Sequence, residues 1–325
     1  MKFRKLLAVG VFVFGGLIGA LTQAQELPGR PIRLIIPYPP GAANDTAARL
    51  LAAQVQGLGS VIVENKPGGD ATIGAEFVKQ APADGHTLLA APQGYTIRAA
   101  MIGQKSLRYD IVRDFDPVIY IARVPFFLVV NKDVLAMNSP RELAEYARAN
   151  PGKLSYGSAG NGSPHHLLAE IFKLRTGADL LHVPYKGLGA GGISDLLTGR
   201  IQMVITGYPA VAAHMKTGKL RLMAVAAAAR TPLNPGVPTF KEWGVDGLEA
   251  DVWLGFLVPK GTPGPVIARL NAEFNRALQS RGVIEKLAAQ GMEAVGGTPQ
   301  QFGAQIRADM ELYDSVVKKA KLGPQ

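Results

Sequence analysis

Residues 31–58 read PIRLIIPYPPGAANDTAARLLAAQVQGL, and the fold is decided in this stretch. Ile32–Ile36 is a short apolar run rich in β-branched residues and interrupted by Arg33, which fits a buried strand. It runs into Pro37-Tyr38-Pro39-Pro40-Gly41, where a ladder cannot continue because proline donates no backbone N–H. Past the break, Asn44 or Asp45 is a suitable N-cap, and Ala48, Leu51, Ala52 and Val55 share one helical face. Strand, rigid loop and helix in this order aim unpaired N–H groups and the positive end of a helix dipole at the loop. Such a junction is a seat for an anion. On its own it is the first βα unit of an α/β domain.

Upstream, residues 1–24 carry the marks of a secretory signal peptide. Lys2, Arg4 and Lys5 make a basic start, Leu6–Leu21 is an uncharged apolar core, and Thr22-Gln23-Ala24 offers small residues for cleavage. The apolar run is shorter than the roughly 20 residues of a spanning helix. The expected mature chain begins near Gln25 and is exported to the periplasm. The 325-residue sequence leaves enough for two domains after the leader is removed. Cysteine is absent, which rules out disulfide staples and a lipid anchor. With five histidines and no cysteine, no zinc-ligand spacing occurs, and neither metal nor cofactor is expected. The formal charge is +10, of which Lys2, Arg4 and Lys5 contribute three. The remaining basic residues are scattered and come with no nucleic-acid recognition motif. A mild attraction for anionic ligands is their most economical use, and a monomer that does not bind nucleic acid is expected.

Downstream, Val61-Ile62-Val63-Glu64 reads as a strand, Ile73–Gln80 as a helix, and Thr87–Ala91 as a strand leading into a loop at Pro92–Thr96. This alternation predicts a parallel sheet with crossover helices. Pro117–Asn131 is one long apolar stretch with Pro125 inside it. A strand that leaves one sheet and enters another, bent at the proline, has this pattern. A second βα junction follows: strand Leu154–Gly157, loop Ser158-Ala159-Gly160-Asn161-Gly162-Ser163-Pro164, helix His165–Arg175. The second crossing is expected at Thr231-Pro232-Leu233-Asn234-Pro235. The domains are then residues 25–124 plus 228–325, and residues 125–227. The tail is helical, and its last helix opens on Thr298 with Gln301 three residues on, a capping-box pattern.

Two motifs point to chemistry and fail on spacing. Gly187-Leu188-Gly189-Ala190-Gly191-Gly192 matches G-x-G-x-x-G, but no Asp or Glu occurs between Asp195 and Glu242 to take a ribose. It is kept as a tight βα turn. Ser158 and Ser163 stand in a loop, yet neither sits in G-x-S-x-G. His165 and His166 are adjacent and point about 100° apart on a helix, so they cannot grip one group together. Tyr38, Tyr95, Tyr208 and Trp253 stand at or near strand ends, where open α/β sheets bind ligands.

The chain resembles the Bug-type extracytoplasmic substrate-binding proteins of tripartite tricarboxylate transporters. PIRLIIPYPPGAANDTAARLLA, VIVENKPGGDATIGAEFV, ADGHTLL, YDIVRDFDPV, NPGKLSYGSAGNGSPHHLLAEIF, HVPYKG, WLGFLVPKGTP and LAAQGMEAVGGTP carry the resemblance in order along nearly the whole mature chain. It implies an α/β, two-domain periplasmic-binding-protein-like fold, a Venus flytrap with a ligand cleft between domains joined by crossing strands. It also implies that a ligand carboxylate sits between two loops. The first supplies Tyr38, Pro40, Gly41, Ala42, Ala43 and Asp45; the second supplies Ser158, Ala159, Gly160, Asn161 and Ser163. The side-chain-facing part of the pocket is expected at Gln93, Tyr95, Thr206, Tyr208, Asp251 and Trp253. Where the family usually has Gly-Gly, this chain has Gly41-Ala42; Thr206 stands where many relatives carry Asp, and His86 where Tyr is usual.

The function expected is that of a periplasmic receptor, not an enzyme, which closes on a small carboxylate and hands it to tripartite transporter membrane subunits. An extracytoplasmic sensor working with a sensor kinase needs the same cleft. A secreted hydrolase using Ser163 and His165 is the rival from another class. No cation is committed to either loop, an argument against a tricarboxylate, and Tyr38, Tyr95 and Trp253 leave room for a ring.

Overall fold

The computed structural model describes residues 29–249 and 252–323; the signal peptide and Asp251 lie outside them. The first elements are β1 (Ile32–Ile36), α1 (Ala43–Ala52), β2 (Val61–Asn65), α2 (Thr72–Lys79), β3 (Thr87–Pro92) and α3 (Gly94–Ile102). β4 (Phe115–Val124) passes through Pro125 into β5 (Phe126–Asn131). Then come α4 (Pro140–Ala149), β6 (Ser155–Ser158), α5 (Pro164–Thr176), β7 (Leu181–Pro184), α6 (Ile193–Thr198), β8 (Met203–Gly207), α7 (Ala212–Met215) and β9 (Leu220–Val225). The chain finishes with β10 (Val252–Pro259), α8 (Gly264–Leu278), α9 (Arg281–Ala289), β11 (Glu293–Ala294) and α10 (Pro299–Lys319).

Among the described residues the strands form two sheets, one ordered β11-β4-β10-β3-β1-β2 and the other β7-β6-β8-β5-β9. β1 pairs in parallel with β2 and β3, but β10 runs antiparallel between β3 and β4. The first sheet is therefore mixed rather than purely parallel, because the chain re-enters it from the other lobe. β4 belongs to the first sheet and β5 to the second. Proline suits that junction: it has no N–H to give to either ladder.

The return to the first sheet comes later than Thr231–Pro235. Thr239 bridges Val225, the Phe240 ring lies 5.8 Å from Phe172, and Val245 and Leu248 are buried in the second lobe's core. The proline-rich turn touches the first lobe, where the buried Thr231 hydroxyl donates to Glu293 of β11, but the chain goes back to the second lobe and stays in its core through Leu248.

Each sheet is covered on both faces. On the first, α1, α8 and α9 bury Leu51, Leu270, Phe274 and Leu287 on one side, and α2 and α10 bury Val78, Phe302 and Ile306 on the other. α10 opens on the Thr298–Gln301 capping box. Its far half places Tyr313, Val316 and Val317 in the core of the second lobe. One helix thus contributes to both cores. No described helix is long and apolar enough to cross a membrane.

Candidate functional site

The first loop is shaped by one carboxylate. Asp45 is buried at N3 of α1 and accepts the backbone N–H of Gly41 at 3.0 Å. Arg49 Nε donates to it at 3.0 Å and Asn65 Nδ2 at 2.8 Å, and the same amide reaches the Tyr38 carbonyl at 3.0 Å. Burial pushes this carboxyl up, but the bonds from Arg49, Gly41 and Asn65 outweigh it and hold Asp45 below the usual carboxylate range. The N-cap is Ala42, without a side-chain cap, and neither Asn44 nor Asp45 occupies it. Asp45 already reaches back to bond Gly41, so the helix starts one turn earlier than the capping preference suggests. The first-turn N–H groups of α1 are left to solvent or a ligand. Gly41 has φ of +86°, whereas Ala42 at φ −64° is in ordinary extended backbone, so its methyl imposes no strain.

The second loop is braced from beneath. Ser158 is fully buried; its Oγ accepts the Gly160 N–H at 3.0 Å and lies 2.7 Å from His182 Nε2. His166 Nδ1 accepts the Gly162 N–H at 3.1 Å, and the two imidazoles stack with centroids 4.1 Å apart. Burial pulls His166 down to about 4, helped by the neighbouring His182, and burial alone pulls His165 to about 4. Both rings are neutral at ordinary pH, and His166 Nδ1 must be unprotonated to accept the Gly162 N–H.

Between the loops opens a cavity of about 400 Å³. The first lobe lines it with Tyr38, Asp70, Gly94, Tyr95 and Arg98, and the second with Asn161, Gly162, Ser163 and Pro164. Ile97, Met101 and Ile102 supply apolar wall. Burial pushes the phenols of Tyr38 and Tyr95 up, so both hydroxyls are neutral, and that of Tyr95 donates to the Ala71 carbonyl at 2.9 Å. A groove of similar size, about 420 Å³, lies beside Arg141, Arg148 and Arg175 on the second lobe, away from both loops.

Of the residues expected to hold ligand, the cavity collects Tyr38, Tyr95, Asn161 and Ser163. Pro40, Gly41 and Ala43 are exposed and Ala42 half-buried on the first loop, outside the cavity lining. Asp45 and Ser158 are committed inside their loops, and Ala159 and Gly160 form the half-buried back of the second. Gln93 and Trp253 are buried behind the wall and turn toward α10 instead. Gln93 Nε2 donates to Tyr313 Oη at 2.7 Å, and Trp253 Nε1 donates to the Asp309 carboxylate at 2.5 Å. Thr206 is buried in β8, and Tyr208 stands edge-on to Phe127 at 6.4 Å.

The largest omission is α3, which lies where a loop is expected. Gly94, Ile97, Arg98 and Met101 follow the i, i+3, i+4, i+7 spacing of one helical face, and that face is the cavity wall. Pro92 and Gly94 hide the signal, and so does burial on more than one side: Ile97 packs in the second lobe's core and Tyr95 in the first's. Arg98 also corrects the expectation that no cation serves the cleft. Its guanidinium pairs with Asp70.

The serine-hydrolase geometry is not formed. Ser163 Oγ donates to the Gly160 carbonyl at 2.7 Å and accepts the His166 N–H at 3.4 Å, capping α5. The His165 ring lies 5.0 Å from Phe126. Among the described residues no group of three or more His, Asp or Glu is placed to hold a metal.

Comparison with known proteins agrees with this geometry. A family profile described as tripartite tricarboxylate transporter family receptor matches residues 47–322. Protein BugT of Bordetella pertussis is 37% identical over 322 residues, covering 98% of each chain. A Rhodopseudomonas palustris protein solved with adipate is 35% identical, with a TM-score of 0.72 over 92% of this chain and 99% of its own. MatC from the same species, solved with bound malate, is 27% identical, with a TM-score of 0.68 over 89% of this chain and 99% of its own. The two sheets, the crossing at Pro125 and the cleft are those of a two-domain periplasmic-binding-protein-like fold, and the chain belongs to the tripartite tricarboxylate transporter receptor family.

Proposed function

We propose that the protein is a periplasmic solute receptor that holds a small carboxylate-containing metabolite between its lobes and delivers it to the membrane subunits of a tripartite transporter. The observation that carries this reading is the cavity itself. It brings Tyr38 of the first loop and Tyr95 of α3 against Asn161, Gly162 and Ser163 of the second loop, with the Arg98 guanidinium on its wall. A guanidinium among neutral polar groups favours an anion without needing a metal or a nucleophile. The adipate and malate in the two solved relatives support a carboxylate. Export through residues 1–24 places the receptor in the periplasm in this reading, and the ligand leaves unchanged.

The test is a thermal-shift screen of ligand-stripped mature protein against small carboxylates, with ester turnover assayed in parallel. At a hundredfold excess over its dissociation constant a specific ligand adds about 2.7 kcal/mol of stability. A shift confined to one carboxylate class, with no turnover, is expected. No shift with any carboxylate, or ester turnover lost in Ser163→Ala, overturns the reading.

A further inference from the structure

α3 gives the cavity its apolar wall and the Arg98 guanidinium, yet it is rooted in neither lobe alone: Tyr95 packs in the first core and Ile97 in the second. Its first turn hangs on Gln93. The Gln93 carbonyl accepts the Thr96 N–H at 2.9 Å and the Thr96 hydroxyl at 2.8 Å, and the Gln93 N–H donates to the Trp253 carbonyl at 3.0 Å. Gln93 stands at the N-cap of α3, but its side chain caps nothing. The amide turns to α10 instead, where Nε2 donates to Tyr313 Oη at 2.7 Å and to Asp309 Oδ2 at 3.4 Å.

Asp309 is buried, and its two oxygens divide the work. Oδ2 accepts Trp253 Nε1 at 2.5 Å together with the Gln93 amide, and Oδ1 accepts Gln305 Nε2 at 2.8 Å. A buried carboxylate bonded in this way is fixed in place, because releasing it strands a charge and its donors away from water. Trp253 belongs to the first core, while Tyr313, one turn further along α10, belongs to the second. The Gln93 amide therefore meets α10 at the seam between the lobes.

We propose, resting on the receptor reading above for the use of the wall, that Asp309 is a positioning residue for the cleft. Through Gln93 it fastens α3 to α10, so the face of Gly94, Ile97, Arg98 and Met101 is set from the helix that both lobes share. Asp309 itself touches no ligand, since neither it nor any other α10 residue lines the cavity.

Hydrogen exchange of the ligand-stripped mature protein tests the fastening, and titration with adipate tests its effect on the cleft. Asp309→Leu should speed amide exchange across α3 about tenfold, the scale of a hydrogen bond to a charged group, and leave α1 within about twofold. Its adipate dissociation constant should rise by a similar factor. Asp309→Asn should stay within about twofold of the wild type in both readouts. Its oxygen can stay toward Trp253 and Gln93 while the Gln305 amide turns over to accept from its NH2. Tyr313→Phe keeps the ring in the second core and removes the other acceptor of the Gln93 amide. It should loosen α3 about fivefold, and it decides the matter if Asp309→Leu does not fold. Exchange that rises equally in α1 and α3, or that is unchanged in Tyr313→Phe, overturns the proposal. So does an adipate constant that stays the same while α3 loosens. If the wild type takes up no adipate, exchange alone decides the fastening, and the carboxylate screen above decides the receptor reading.

Discussion

The Asp45 carboxylate and the Gly41 N–H meet at 3.0 Å across one turn of chain, and that bond shapes the first loop. Asp45→Ala leaves Gly41, Asn65 and Arg49 without their shared acceptor. It should cost about 1 kcal/mol in denaturant unfolding, the scale of a hydrogen bond lost where the donors are still reached by water. Carboxylate affinity should fall with it, because the loop loses the brace that orients its N–H groups. Asp45→Asn, which keeps one acceptor oxygen, should lose less.

The half-buried His165 and the buried His166 predict an acid-sensitive fold. His165 and His166 are each held near 4, below the ordinary value of 6.5, so the unfolded chain binds more protons than the native one between those values. Their contribution to stability is complete above about pH 6.5 and is lost progressively as the pH falls toward 4. His165→Phe keeps a ring against Phe126 and should flatten the slope of melting temperature against pH in that window. An unchanged slope would assign the acid sensitivity elsewhere.

Ala71 adopts φ of 72° although it carries a Cβ. A left-handed non-glycine residue costs roughly 1–2 kcal/mol, so Ala71→Gly should relieve strain and raise stability by about 1 kcal/mol. Equilibrium unfolding measures this directly. A loss of stability would mean that the turn draws its rigidity from the alanine.

Gly255 lies where α10 presses on the first sheet. A Cβ there would stand 2.1 Å from Phe302 Cζ and 2.8 Å from the Ile119 carbonyl. Gly255→Ala should destabilise by about 3 kcal/mol, the upper range for overpacking. Gly261→Ala meets no atom within 4 Å but has φ of +87°, and it separates backbone strain from this steric clash.

Local punctuation made β1, its proline loop, α1 and the Thr298 capping box legible, because each is signalled within a few residues. The second βα junction is legible for the same reason. α3 is not, since Pro92 and Gly94 imitate a loop and its packing on both lobes blurs its apolar stripe. Gln93 and Trp253 illustrate the other limit. Their residue types and strand-end positions suit a pocket, yet Tyr313 and Asp309, more than fifty residues away in the chain, take their hydrogen bonds. Asp70 is hidden inside a glycine-rich turn whose residue types say nothing about the arginine it meets.

Pro125 has a mechanical consequence. The chain changes sheets at a residue with no N–H, so turning one lobe against the other breaks no interstrand bond at that point. The resistance to such rotation must come from side chains, chiefly where α10 is rooted in both cores. A pivot that is soft in hydrogen bonding and stiff in packing sets its speed by how fast buried side chains repack. Substitutions along α10, none of whose residues lines the cavity, are therefore where the opening rate of the cleft can be tuned while its lining stays the same.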